Sequence, residues 1–347
     1  MRQLPSTMKA AVLYGPNDLR VERVPIPEVD ADEVLLKVDM CGICGTDVHI
    51  LRGTFPVPNL PLIPGHEFAG HVVATGEAVD YVKPDDYVTA DINLACGHCY
   101  FCRRQQKLFC EQIRQIGVHT HGALAEYVKA PAAAIYQVPE SLSPQQSAYI
   151  EPLACAVRGQ ERASIQPGSS VAIIGAGPMG LAHIQLAKLK GAAPIIVTEM
   201  NRIRLRKARE MGADYAIDVG AEDGVEAVRK LTDGRGADYV IEAVGSILTY
   251  KQAFEMVRRG GTLVAYGAAP STAVLDLKPF DIYSKELTIV GSYAGTYQTW
   301  PEAIALIEGG RFNPENIVTQ VVPLGEVVGA IETVEKNKDV IKIQIQP

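Results

Sequence analysis

At 347 residues, 47% hydrophobic and 21% charged, the chain is long enough for two domains at about 150 residues each and rich enough to bury an ordinary core. Its formal charge of −7, from 33 basic and 40 acidic residues, argues against a nucleic-acid or anionic-membrane partner. No apolar run approaches the roughly 18 residues that span a bilayer. The stretch MRQLPSTMKA has neither the charged region nor the apolar region of a signal peptide, so a reducing cytoplasmic setting is expected.

Up to about residue 150, short β-type segments such as Glu33–Val38 and Phe68–Ala74 are punctuated by Gly and Pro, which predicts an irregular, barrel-like β domain. Two motifs fall within it, Cys41-Gly-Ile-Cys-Gly-Thr-Asp47 and Gly65-His-Glu67. Cys44, His66 and Glu67 offer a thiolate, an imidazole and a carboxylate, a mixed set suited to a zinc ion with an open position. Each alone has a bland reading, because a lone cysteine is usually a small core residue. Spacing does not show that the three meet.

Next come Cys96, Cys99, Cys102 and Cys110, separated by two, two and seven residues. Thiolates this close can wrap one Zn²⁺ in a closed tetrahedral site. Disulfides are disfavoured by a reducing compartment. The bacterial iron–sulfur motif needs a three-residue gap and a proline, whereas Glu111 follows here. Glu151, in IEPLACAVRG, reads equally as a further ligand and as an acid at a helix start.

From Ser169 onward strand-like runs alternate with helical ones: Val171–Ile174, Met179–Lys190, Pro194–Thr198 and Arg202–Met211. Further strands are expected at Tyr239–Ala243, Thr262–Tyr266 and Thr288–Val290. This alternation predicts βαβ units and a parallel sheet. Gly175-Ala-Gly-Pro-Met-Gly180 follows the first strand and opens the first helix, the context a dinucleotide fingerprint requires. Gly175 permits the tight turn, Gly177 the approach of pyrophosphate, and Gly180 close helix–strand packing. Glu199, at the end of the next strand, suits the adenosine ribose hydroxyls and repels a 2′-phosphate, which favours NAD; Arg202 and Arg204 leave room for NADP. The run Arg202, Arg204, Arg206, Lys207, Arg209 reads most simply as a solvated helix face.

In order along the chain, CGICGTDVH, PGHEFAG, the four-cysteine lobe, HGALAEYV, EPLACAVRG, GAGPMG and Glu199 resemble the zinc-dependent medium-chain dehydrogenase/reductase family of alcohol and polyol dehydrogenases. The resemblance covers essentially the full length. It implies an α/β protein with a GroES-like catalytic domain (1–155 and 294–347), a structural-zinc lobe (about 93–113) and a Rossmann doubly wound parallel-sheet domain (156–293). It also implies one catalytic zinc at Cys44, His66 and Glu67 with Glu151 fourth, and one structural zinc per subunit. Glu67 and Glu151 would be exchangeable ligands. Thr46 and His49 match proton-relay positions, and Arg204 a basic residue on the adenosine ribose. Pro178, Met179, Val244, Tyr266, Gly267, Ser292 and Tyr293 are implied to line the cofactor site.

The chemistry implied is polarisation of a substrate hydroxyl by zinc, proton transfer by way of Thr46 and His49, and hydride transfer to NAD. EPLACAVRG resembles the polyol, sorbitol-type branch. Those enzymes hold substrate hydroxyls with an Arg-Tyr pair, and here Ala294 and Gly295 stand in the comparable region. The leading expectation is therefore oxidation of a polyol or vicinal diol at a secondary hydroxyl. The alternative is threonine or another amino-alcohol, and a distant one is a noncatalytic nucleotide-binding protein, since zinc-free relatives of the fold have such roles. A homodimer or homotetramer is implied, with the cysteine lobe and Thr288–Ser292 as contact regions.

Overall fold

Two sheets of different design organise the chain in a computed structural model that describes residues 4–347. The first three residues of the stretch read above for a leader lie outside the described ones. The chain divides into two compact units, one running to Ala154 and resuming at Ala294–Pro347, the other Cys155–Tyr293.

The first unit begins with a hairpin, β1 (Thr7–Gly15) and β2 (Asp18–Pro25). Its turn places Asn17 in the left-handed region at φ 62°, which asparagine tolerates better than most residues. There follow β3 (Glu33–Gly42), α1 (Gly45–Leu51), β4 (Glu67–Thr75), β5 (Tyr87–Ala90), β6 (Asn93–Leu94), β7 (Arg114–Gln115), β8 (Tyr127–Pro131), β9 (Ile135–Gln137), α2 (Pro144–Ala148) and α3 (Ile150–Ala163).

The second unit holds β10 (Val171–Ile174), α4 (Pro178–Leu189), β11 (Ile195–Glu199), α5 (Arg202–Met211), β12 (Tyr215–Asp218), α6 (Gly224–Leu231), β13 (Ala237–Glu242), α7 (Ile247–Met256), β14 (Val257–Ala265), α8 (Pro279–Lys285) and β15 (Thr288–Gly291). The chain then closes the first unit with α9 (Thr299–Glu308), β16 (Val318–Pro323), α10 (Val327–Lys336) and β17 (Lys342–Gln346).

In the first unit, strands run in the order β16-β17-β3-β4-β5-β9, with β8 also on β3. β3 is buried along most of its length because it pairs with β4, β8 and β17. Val34, Leu36, Val38, Phe68, Val72 and Ile345 meet in its core. The β3–β4 register sets Gly42 opposite Glu67, and β17 pairs with Gly42 and Cys41. The last strand of the chain thus lies against the strand that leads into Cys44.

In the second unit, six parallel strands run β12-β11-β10-β13-β14-β15. This is the doubly wound order, whose direction reverses between β10 and β13 and leaves a ligand crevice at the carboxyl ends of those strands. β10 is VAII, buried at every residue, as a strand covered on both faces must be. α5 starts at Asn201, whose side chain accepts from the Ile203 and Arg204 amides, and stops at Gly212 with φ 114°, the expected punctuation of a helix.

The expected elements lie where the chain's pattern put them, with shifted ends: Pro194–Thr198 becomes Ile195–Glu199, Tyr239–Ala243 becomes Ala237–Glu242, and Thr262–Tyr266 becomes Val257–Ala265. β12 and α6 to α8 complete the sheet; β12 is a four-residue outer strand with Tyr215 exposed, too short to declare a period.

Candidate active site and metal centres

The sulfurs of Cys96, Cys99, Cys102 and Cys110 all lie within 4.8 Å of one another. Cys99 Sγ and Cys102 Sγ are 3.5 Å apart, and Cys96 Sγ and Cys102 Sγ 3.9 Å. These spacings are far beyond the roughly 2.05 Å of a disulfide. They match the edge of a tetrahedron of sulfurs about 2.3 Å from a zinc ion, which is about 3.8 Å. The Cys96 and Gln112 amides donate to Cys110 Sγ at 3.3 and 3.4 Å, the arrangement that steadies a thiolate. Without a metal two of them differ sharply: backbone hydrogen bonding at Cys102 holds Cys99 down at about 6, while burial pushes Cys102 up to about 12. A divalent cation makes all four thiolates compatible.

The second cluster is built by two local structures. Cys44 is the N-cap of α1, and the Asp47 carboxylate three residues on accepts the Cys44 amide at 2.8 Å. That reciprocal bond fixes the thiol at the mouth of the helix. His66 immediately precedes β4 and Glu67 opens it. The ligand atoms of Cys44, His66 and Glu67 lie within 4.8 Å of one another, so the set inferred from residue type does meet in space. Asp47 Oδ1 stands 3.5 Å from His66 Nδ1, the placing of a carboxylate that orients a ligating imidazole so that its other nitrogen faces the metal. Burial works against a charged His66, but Asp47 and then Cys44 outweigh it and raise its pKa well above the ordinary value. Metal binding therefore displaces a proton there.

Glu67 is held from the far end of the chain. Lys342 Nζ pairs with Glu67 Oε2 and donates to Ile43 O at 2.9 Å. Burial disfavours the ammonium, yet Glu67, with Cys44 and Asp47 behind it, outweighs that cost and the lysine pKa is raised. Gly42 leaves the space: a Cβ there would land on Glu67 Oε2.

Glu151 sits in the first turn of α3, buried, and outside the cluster of three ligand atoms. Thr46 lies within α1, with the Cys44 thiol donating to its hydroxyl at 3.6 Å. His49 is exposed at the end of the same helix, its Nδ1 3.1 Å from Thr54 Oγ1. Asp47 and Lys342 are not among the site residues the sequence suggests. Asp47 was legible in the motif Cys44-Gly-Thr-Asp47, whose spacing is that of a helix cap; Lys342, in the alternating IKIQIQ, carries no local signal.

In the second unit Gly175 takes φ 92° at the end of β10, and Gly177 is the N-cap of α4 with Pro178 and Met179 in its first turn. A Cβ on Gly180 would collide with Gly175 O, so glycine sets the closeness of helix and strand. Glu199 Oε2 accepts the Ala176 amide at 2.9 Å, and Oε1 accepts Met200 and Asn201 at 2.7 and 3.0 Å. The acid is thus fixed beside the glycine turn. Arg204 Nη1 comes within 3.7 Å of the Cβ position of Gly177, apart from the solvated face formed by Arg202, Arg206 and Arg209. Val244 is exposed beside Gly175. The Gly267 amide bonds Glu242 O at 2.7 Å and the Ser292 amide Ala265 O at 3.1 Å, while Tyr266 is half-buried and Tyr293 exposed. Among the described residues, no helix is long and apolar enough to cross a membrane.

Residues 178–309 match the zinc-binding dehydrogenase model, and residues 30–140 the alcohol dehydrogenase GroES-like domain. The chain is 37% identical to D-arabinitol dehydrogenase 1 of Uromyces fabae, covering 99% of this chain and 98% of that one. It is 36% identical to an L-threonine 3-dehydrogenase of Bacillus licheniformis over 91% and 92%. A solved structure from Sinorhizobium meliloti, described as a zinc-binding dehydrogenase bound to NADP, superposes with a TM-score of 0.95 at 36% identity, covering 99% and 100%. The four-sulfur centre, the Cys44–His66–Glu67 cluster and the nicotinamide-nucleotide fold are those of a dehydrogenase acting on CH–OH groups. The chain belongs to the zinc-binding medium-chain dehydrogenase family.

Proposed function

We propose that the protein oxidises a secondary hydroxyl of a polyol or vicinal diol to a ketone with NAD⁺ as acceptor. The observation that carries the chemistry is the mixed cluster of Cys44, His66 and Glu67, backed by Asp47 and Lys342. The likeness to an arabinitol dehydrogenase supports a polyhydroxylated substrate.

Zinc, when bound, supplies a Lewis acid that lowers the pKa of the substrate hydroxyl. Cys44 and His66 hold it, and Asp47 keeps the His66 ring in register. Glu67 is an exchangeable ligand because Lys342 offers its carboxylate a second partner. Glu151, buried at the start of α3, is the further exchangeable ligand. The Thr46 hydroxyl relays the substrate proton, accepting it as it passes its own proton on toward His49, which is exposed beside Thr54 and releases a proton to solvent. Glu199 receives the adenosine ribose hydroxyls and disfavours a 2′-phosphate, with Arg204 beside it. Val244, Tyr266, Gly267, Ser292 and Tyr293 border the nicotinamide.

The test is NADH formation by the zinc-loaded enzyme across polyols, vicinal diols, simple secondary alcohols and threonine, repeated with NADP⁺. A threonine rate far above every polyol and diol would move the chain to the amino-alcohol reading, which the likeness to threonine dehydrogenase supports. Full activity after complete loss of the Cys44 metal would sink the mechanism.

The assembly is a homodimer or homotetramer. β15 is an outer strand of its sheet, and Ile289 on it is exposed, as are Phe280 and Tyr283 on α8. An unpaired strand edge with exposed apolar side chains is a surface for a second copy. Light scattering of Ile289→Lys against the parent chain tests it.

A further inference from the structure

The seven-residue gap of the cysteine lobe contains a buried cation that a four-sulfur site does not need. Lys107 opens a short 3-10 turn, Lys107–Phe109, between Cys102 and Cys110, and its side chain is 8% exposed. Its ammonium pairs with Asp91 Oδ2, on a carboxylate 2% exposed. Asp91 Oδ1 in turn accepts the Asn93 amide and Asn93 Nδ2 at 3.0 and 3.1 Å.

From there the network reaches the segment on which the chain returns to the first unit. Asn93 Oδ1 accepts from Gln115 Nε2 at 2.7 Å, and Asn93 Nδ2 donates to Gly295 O at 3.4 Å. Lys107 Nζ lies 4.8 Å from the centre of the Tyr297 ring, within cation–π range. Tyr136 donates to Tyr297 O at 3.2 Å and stacks on the buried Trp300. A Cβ on Gly295 would come within 2.5 Å of Trp300 Cζ3, so this stretch of backbone is pressed onto the ring. Ala294 holds φ 56°, a conformation a non-glycine residue keeps only when its surroundings fix it.

We propose that Lys107 is a positioning residue, through which the metal of the cysteine lobe orders the returning segment Ala294–Trp300. A buried charge pair persists only while both partners are present and aligned, because either one alone is an uncompensated charge in the interior. The ends of the loop that carries Lys107 are the ligands Cys102 and Cys110. A metal there fixes the loop, the loop fixes the ammonium, and the ammonium holds Asp91 on one side and Tyr297 on the other. Loss of the metal frees the loop, strands Asp91 and releases Tyr297. The four-sulfur centre thereby acts on a part of the chain with which it shares no ligand. The inference needs no particular substrate or cofactor.

Hydrogen exchange with mass-spectrometric readout tests it on the zinc-loaded protein. In Lys107→Met, both zinc ions stay bound and exchange across 294–300 speeds up by about ten-fold or more, while β10 to β14 keep their protection. Lys107→Arg keeps both charge and ring contact and retains the protection. A second measurement does not depend on the methionine variant folding. His66→Ala, which keeps only the lobe zinc, is exposed to a chelator; exchange across 294–300 accelerates in step with zinc release. Unchanged protection of that segment in Lys107→Met, or after the lobe zinc has left, overturns the proposal. So does loss of protection spread evenly over the first unit.

Discussion

Lys342, on the last strand, and Glu67, at the start of β4, form a buried ion pair beside the metal cluster, anchored by the bond from Lys342 Nζ to Ile43 O. Under the proposed exchangeable role of Glu67, the pair would give the carboxylate a resting partner when it is off the metal. Removing one partner of a buried pair costs about 3–5 kcal/mol. Lys342→Met should lose that much in the metal-free chain and markedly less when zinc takes over Glu67. Urea unfolding of both forms checks this, and equal losses with and without zinc would count against an exchangeable Glu67.

The two metal centres should separate by mutation. His66→Ala should fold, bind one zinc per chain instead of two, and lose activity by several orders of magnitude. Cys102→Ser should lose the other zinc and destabilise the protein, since structural zinc contributes directly to folding. Metal analysis by mass spectrometry with thermal unfolding decides; two zinc ions in either variant would contradict the assignment.

The imidazole of His183, fully buried on α4, has its pKa depressed to about 3 by burial. Gln160 Nε2 lies 3.2 Å from its Nδ1. The unfolded chain, with histidine near 6.5, binds this proton more readily than the folded one. The resulting stability is complete above about pH 6.5 and is lost as pH falls towards about 3, at about 1.4 kcal/mol per pH unit. His183→Asn should be less stable at neutral pH but flatten the fall between about pH 6 and 4.5 by that slope. Parallel curves for parent and variant, from denaturant titrations at each pH, would show that His183 is not buried neutral.

Glu199 accepts the Ala176 amide of the glycine turn and the Met200 and Asn201 amides that follow it, which fixes its carboxylate for the proposed role on the ribose hydroxyls of the cofactor. Hydrogen bonds to a charged group contribute about 1.5–3 kcal/mol. Glu199→Ala should therefore lower kcat/KM with NAD⁺ by about ten-fold or more and shift the preference towards NADP⁺. An unchanged ratio of the two cofactors would remove Glu199 from that role.

The parts legible in the sequence were those whose signal is local. The glycine turn after VAII, the helix Arg202–Met211 and the four cysteines each declare themselves within about twenty residues. In these, a strained turn, a helical period or a shared ion constrains neighbours directly. Glu151 illustrates the limit: the same acid serves a helix start and a metal site, and its position in the first turn of α3 was readable while its distance from Cys44 was not.

Sequence alone determined which chemistry the chain carries, because thiolates, imidazole, carboxylates and a phosphate-binding turn are properties of residue type and spacing. Tertiary structure decided which of them meet. Gly42 faces Glu67 because of the β3–β4 register, and Lys342 reaches Glu67 and the Ile43 carbonyl because β17 returns to pair with β3. Lys107 lies 4.8 Å from the centre of the Tyr297 ring because the lobe and the returning chain belong to the same compact unit. Such long-range pairings leave no mark in a local window, since a strand's alternation specifies which side chains are buried and not which partner they will find.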